Sequence, residues 1–183
     1  VTHPTDFVTD HPPHAARVRR YHTWVVHHQQ SIGEHCWQVA RIFESIFGEL
    51  SPAVERFIRH HDTPELVVGD PPFPVKSENP VLKTEYDRIE PAALERQGIP
   101  QLPVLLDDER VRIKICDLLE MMEHGMCERE MGNMLAAPIV TRTERAAEEL
   151  AHARLSADEA QAVRNHIHRE WERHDAVLRN ADP

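Results

Sequence analysis

Apolar residues recur at helical spacing along almost all of this 183-residue chain, and strand-like alternation is nearly absent. That pattern excludes a sheet-based core. A half-buried strand needs alternation with period two, whereas a helix needs an i, i+3, i+4 stripe. The spacing predicts an all-α bundle of about seven helices in a single domain, residues 1–183, a length that fits domains of ~100–200 residues. Residues 1 to 13, with Pro4, Pro12 and Pro13, read as extended, and a first helix is predicted over 15–26. Ser31-Ile-Gly-Glu34 is a capping box that opens a helix carrying Val39, Ile42, Phe43, Ile46, Phe47 and Leu50 on one stripe. Ser51-Pro52 restarts the chain as a helix with Val54, Phe57 and Ile58 inward.

Pro71, Pro72, Pro74 and Pro80 make 69–80 a loop. Asn79-Pro80 opens the next helix, which Pro91 is expected to interrupt and Gly98 to end. Asp107 or Asp108 caps a helix reaching His124, with Gly125 just past its end. A short helix is expected to stop at Pro138. Thr141/Glu144 and Ser156/Glu159 are two further capping boxes, and the last helix is expected to bury Val163, Ile167, Trp171 and Leu178. Trp24 and Trp37 read as core.

The formal net charge is -10, which argues against a duplex nucleic-acid partner but leaves room for a local basic pocket. No apolar run approaches the ~18 residues of a membrane span. The opening Val1-Thr2-His3-Pro4 has no signal-peptide pattern. Cys36, Cys116 and Cys127 are odd in number and form no CxxC, which reads as reduced thiols and a cytoplasmic setting. There are 14 histidines, of which His3, His11 and His14 read as surface residues.

His35 falls on the apolar stripe with Val39 and Ile42, and His61 follows Phe57 and Ile58 at inward spacing. A core histidine satisfied by a backbone or carboxylate partner is the plain alternative for His35, and His61 weakens it by facing inward as well. Asp62, at a helix C-terminus, opposes the helix dipole, and a cation would reverse that penalty. Asp117 sits among Ile113, Ile115, Cys116, Leu118, Leu119, Met121 and Met122, so it is expected to be buried. A buried carboxylate costs several kcal/mol unless it is paired or binds metal, an ion pair being the alternative. Two imidazoles and two carboxylates suit a divalent transition ion (Zn, Co, Mn, Ni or Fe) and leave positions open for catalysis.

His35, His61-Asp62 and Asp117 match the ordered H…HD…D signature, and the chain thereby resembles the HD-domain phosphohydrolases. His61-Asp62-Thr63-Pro64-Glu65, followed by Asp70-Pro71-Pro72-Phe73-Pro74-Val75-Lys76, resembles a block of the bacterial 5′-deoxynucleotidases. The Arg20-Tyr21-His22-Thr23 segment and the short chain are closer to phage HD enzymes, including dATP triphosphohydrolases of 2-aminoadenine phages. The resemblance covers about 15–125, with generic helices over 126–181.

The resemblance implies an HD-type helical bundle that binds one divalent ion through His35, His61, Asp62 and Asp117, with a second ion able to accompany the substrate phosphates. It implies that Glu65, with Asp62, serves catalysis by handling the attacking water. Arg20, Tyr21, Thr23, Asp70 and Lys76 would contact substrate. Asp70 has three open roles: sugar 3′-hydroxyl, second metal, or loop cap. Tyr21 stands where the relatives carry Trp. The implied reaction is hydrolysis of a 2′-deoxynucleotide at its 5′ α-phosphate, with dATP first, deoxynucleoside monophosphates as the alternative and a non-catalytic sensor behind both. The expected partners are that small molecule and further copies of the chain, with no duplex nucleic acid and no membrane. The setting is the cytoplasm, the host's if the protein is phage-encoded.

Overall fold

Ser31 opens a helix as its capping box predicts. Its backbone N–H and hydroxyl donate to the Glu34 carboxylate at 2.7 and 2.8 Å, and the Glu34 N–H reaches back to Ser31 Oγ at 3.3 Å. The computed structural model describes residues 16–21, 23–69, 79–99 and 101–181. Among the described residues the helices are α1 (Ile32–Phe47), α2 (Pro52–His60), the short α3 (Glu65–Val68), α4 (Pro80–Arg96), α5 (Asp107–Glu130), α6 (Ala137–Arg154) and α7 (Ala157–Ala181). A 3-10 turn over Met134–Ala136 precedes α6. Among the described residues the strand-like pairing is one isolated antiparallel bridge, Arg19 to Ser31, so the all-α expectation holds.

The chain divides into two compact units. One comprises 1–24, 29–37 and 56–103, and its core includes Ile32, Ile58, Ala93, Leu94 and Ile99. The other comprises 25–28, 38–55 and 104–183. There α5 packs chiefly against α6 and also meets α7. Val111, Ile115, Leu119, Met122 and Met126 of α5 are buried, as are Val140, Ala147 and Ala151 of α6 and Val163 and Ile167 of α7. The three cysteines are free thiols, Cys36 and Cys116 buried and Cys127 exposed.

Several local expectations are corrected. No helix forms in the described part of 15–26. There Arg20 N–H donates to Gln30 O at 2.8 Å, and Ile32 N–H to Val18 O at 2.9 Å, so cross-chain bonds replace i→i−4 bonds. Trp24 and Trp37 are exposed rather than core. Helix α4 runs through Pro91, since one missing N–H leaves the other bonds of a 17-residue helix in place. Gly125 does not end α5 but lies inside it, where an added Cβ would stand 2.8 Å from Val140 Cγ2. Pro138 starts α6 instead of stopping a helix. Thr141 lies within that helix, its hydroxyl donating to Ala137 O at 3.3 Å. The Ser156 box forms as predicted, Oγ to Glu159 at 2.7 Å. In α7, Trp171 is only partly buried and Leu178 is exposed, while His166 and His174 take the inward positions.

Candidate active site

Helix α1 delivers His35 to a fully buried position, and the end of α2 delivers His61 and Asp62 beside it. His61 continues the α2 bonding pattern, its N–H donating to Phe57 O at 2.9 Å, and its ring stacks on Phe57 with centroids 5.9 Å apart. His35 Nε2 lies 3.3 Å from Asp62 Oδ2, and His61 Nε2 lies 3.4 Å from Asp62 Oδ1. One donor atom from each of the three falls within 4.8 Å of the other two, a spacing that a single ion can bridge.

His61 Nδ1 is 2.8 Å from Ile58 O. A carbonyl only accepts, so Nδ1–H donates to it, and Nε2 is the nitrogen turned toward Asp62. A backbone carbonyl behind a ligating histidine fixes tautomer and ring orientation in this way. The donor set therefore fits a divalent transition ion on its own chemistry: two imidazole nitrogens and a carboxylate, all in the first unit.

The turn after Asp62 is tightly bonded. Thr63 N–H donates to His60 O at 3.1 Å and Glu65 N–H to Asp62 O at 3.0 Å, so Glu65 begins α3 one turn beyond Asp62. Buried Thr63 also accepts from the Gln97 side chain at 3.3 Å. His60 lies beside the site residues in sequence. Its imidazole is held below its ordinary pKa by burial first, then by the positive charges of Arg59 and Arg56.

Arg20 and Tyr21 are buried, whereas Arg17, Arg19 and Thr23 are exposed. That separates Arg20 from its cationic neighbours, a distinction the spacing alone did not make. Arg19 instead donates to Gln29 O at 2.7 Å. The Arg20 guanidinium carbon stands 5.3 Å from the Tyr21 ring centroid. Tyr21 has φ 58°, a left-handed conformation that non-glycine residues seldom adopt. Asp70 and Lys76 lie outside the described residues. Lys83, the next lysine after Lys76 in the sequence, is exposed and paired with Asp87 at 2.5 Å.

Asp117 lies on α5 in the second unit. It is partly rather than fully buried, because it shares a face with exposed Lys114, one turn back, whose ammonium it holds at 2.5 Å. The deeply buried polar groups of α5 are Glu120, His124 and Glu128, which sequence reasoning missed. The Glu128 carboxylate accepts the backbone N–H groups of His27 and His28, both at 2.7 Å, and the Asn133 amide at 2.8 Å. Burial raises its pKa, but the bonds from Asn133, His27 and His28, with the nearby His124, outweigh burial and leave the carboxyl below its usual range. The spacing offers no warning of this, since Glu128 sits in the charged run Glu128-Arg129-Glu130.

Residues 14–168 match the family described as 5′-deoxynucleotidase YfbR-like. The 5′-deoxynucleotidase of Vibrio cholerae serotype O1 is 33% identical over 108 residues, 52% of this chain and 55% of that protein. The 5′-deoxynucleotidase of Vibrio atlanticus is 34% identical over 108 residues, with the same shares. The chain thus spans about half the length of the curated relatives it matches. In fold it is similar to the cyanophage S-2L HD phosphohydrolase DatZ, solved with dA and one catalytic Zn2+ ion. The TM-score is 0.70 at 18% identity, covering 94% of this chain and 98% of that one. With more than half of its length matched by the family, the chain belongs to the YfbR-like 5′-deoxynucleotidases.

Proposed function

We propose that this protein is a divalent-metal-dependent phosphohydrolase acting on 2′-deoxynucleotides at the 5′ α-phosphate. The observation that carries the reading is the His35–His61–Asp62 group, with His61 held by Ile58 O so that Nε2 is presented as a ligand. Asp117 is proposed as the fourth ligand, completing the ordered set. When bound, a divalent ion supplies Lewis acidity toward phosphate and lowers the pKa of water. Glu65 is proposed to take the proton of the attacking water, being one turn beyond Asp62. Arg20 is proposed to bind a phosphate oxygen pair through its planar fork, and Tyr21 to hold that guanidinium in place. Thr23, Asp70 and Lys76 are proposed to contact sugar or phosphate.

Deoxynucleoside monophosphates rank first as substrate, because the family match and the Vibrio relatives are 5′-deoxynucleotidases. A second reading is dATP hydrolysis to deoxyadenosine and triphosphate; deoxyadenosine is what the solved DatZ structure, similar in fold, is bound to. Phosphate and triphosphate release from a panel of deoxynucleoside mono- and triphosphates, with and without chelator, tests both. Chelator-sensitive orthophosphate from monophosphates supports the first reading, and triphosphate from dATP the second. Binding of deoxynucleotides without release of either product would make the protein a sensor and overturn the enzymatic reading.

A further inference from the structure

In the second unit, the seam between α5 and α7 holds ionisable groups at positions where helix pairs normally bury apolar ones. His166, Glu170 and His174 follow one another at i, i+4 and i+8 on α7, which places them on one face. Opposite them stand Glu123 and Glu130 of α5. His166 Nε2 is 2.8 Å from Glu123 Oε1, and His174 Nδ1 is 3.0 Å from Glu130 Oε1. Both imidazoles are buried, 2% and 0% exposed. Glu123, His166 and Glu170 each offer one ligand atom, and these atoms lie within 4.8 Å of one another.

We propose that Glu123, His166 and Glu170 form a second divalent-cation site that clips α5 to α7 and takes a borderline transition ion such as Zn2+. Its residues are separate from the catalytic ligand set, and the inference does not depend on the proposed activity. One imidazole nitrogen with two carboxylate oxygens is a mixed N/O set of the kind such ions accept. The buried His166 ring is fixed by packing, so its nitrogen is already aimed and little ordering remains to be done on binding. Two carboxylates offset the charge of the ion.

Two arginines now occupy the carboxylates. Arg41 pairs with Glu123, and Arg173 donates to Glu170 at 2.9 Å and to Glu130 at 3.4 Å. Their side chains are 38% and 44% exposed, so each can swing into water while its carboxylate turns to an ion. A displaced guanidinium regains water while the ion takes its place beside the largely buried carboxylate, so that carboxylate keeps a positive partner. This competition separates a metal site from a simple salt-bridge network. In a network, losing Arg41 only loosens the seam. At a metal site, losing Arg41 also frees Glu123 and tightens the ion.

The test is Zn2+ titrated by calorimetry into metal-free, full-length protein and its variants, with circular dichroism confirming helix content. E170Q changes a partly exposed side chain, is isosteric and should leave the fold intact. E170Q and H166Q should each bind one equivalent fewer than the unmutated chain, and R41M should bind that equivalent several-fold more tightly. His61→Ala should keep it, which distinguishes failure of this site from failure of the catalytic one. Should H166Q misfold, E170Q decides alone. E170Q binding as many equivalents as the unmutated protein would overturn the proposal, as would R41M binding the second ion more weakly.

Discussion

Asp62 and Glu65 are three residues apart and joined by a backbone bond of 3.0 Å, yet their proposed tasks differ. Removing a ligand and removing a proton acceptor should therefore separate cleanly. Asp117→Ala should lose both the catalytic ion and turnover, read by elemental analysis beside an activity assay. Retention of that ion would return Asp117 to its ion pair with Lys114. Glu65→Ala should keep the ion and substrate affinity while kcat falls by ~10²–10⁴-fold, the range for a positioned general base. Unchanged kcat would make Glu65 an ordinary helix-start carboxylate. The candidate ligands His35 and His61 were singled out because a polar residue on an apolar stripe breaks a pattern, and the structure brings them together with Asp62. Asp117 was singled out on the same ground, but its burial was overstated and it pairs with Lys114: periodicity places a side chain on a face but cannot say how far its neighbours cover it. Arg20 could be told from Arg17 and Arg19 only by knowing that Gln30 O captures its backbone and the Tyr21 ring lies beside its guanidinium.

Among the elements, capping chemistry was readable where it is local. Ser31 and Ser156 both bond the glutamate three residues on, so these helix starts follow from sequence. The failures are tertiary. The 15–26 segment has helical spacing, but in its described part Arg20 N–H goes to Gln30 O, and just beyond it the His27 and His28 N–H groups go to the Glu128 carboxylate. Glu128 therefore sets an acid limit on stability. Its folded pKa is lowered, so its contribution is present above the unfolded value and is lost as pH falls through the folded one. The denaturant midpoint should drop on acidification toward and below the carboxylate range, and Glu128→Gln should flatten that part of the profile while lowering stability at neutral pH. An unchanged profile would show that Glu128 does not anchor 25–28. Gly125 failed for a related reason: glycine suggests an end, but here α6 comes so close that a Cβ would meet Val140 Cγ2 at 2.8 Å. Gly125→Ala should cost about 1–3 kcal/mol by overpacking, read as a lower midpoint at constant m-value. A neutral result would mean the Val140 side chain gives way freely.

For the molecule as a whole, net charge decides how a polyanion is met. With a formal charge of -10, the average field repels nucleotides, and each added phosphate increases the repulsion. Tight binding of a triphosphate needs several cations in one place. Of the candidates, Arg20 is buried beside Tyr21, and Lys83 is exposed and paired with Asp87, which leaves it poorly placed to serve. Lys76 would then carry much of the extra charge of dATP, while a monophosphate could rely on Arg20 and the bound ion. Lys76→Ala should therefore weaken dATP hydrolysis more than dAMP hydrolysis, and the difference should be larger at low salt, where screening is weak. Measuring kcat/KM for both nucleotides at two ionic strengths checks this. Equal losses on the two substrates, independent of salt, would mean that Lys76 meets only the α-phosphate. Robust dAMP turnover with none on dATP in the unmutated protein would show that the acidic field is not overcome, leaving the monophosphate as the substrate.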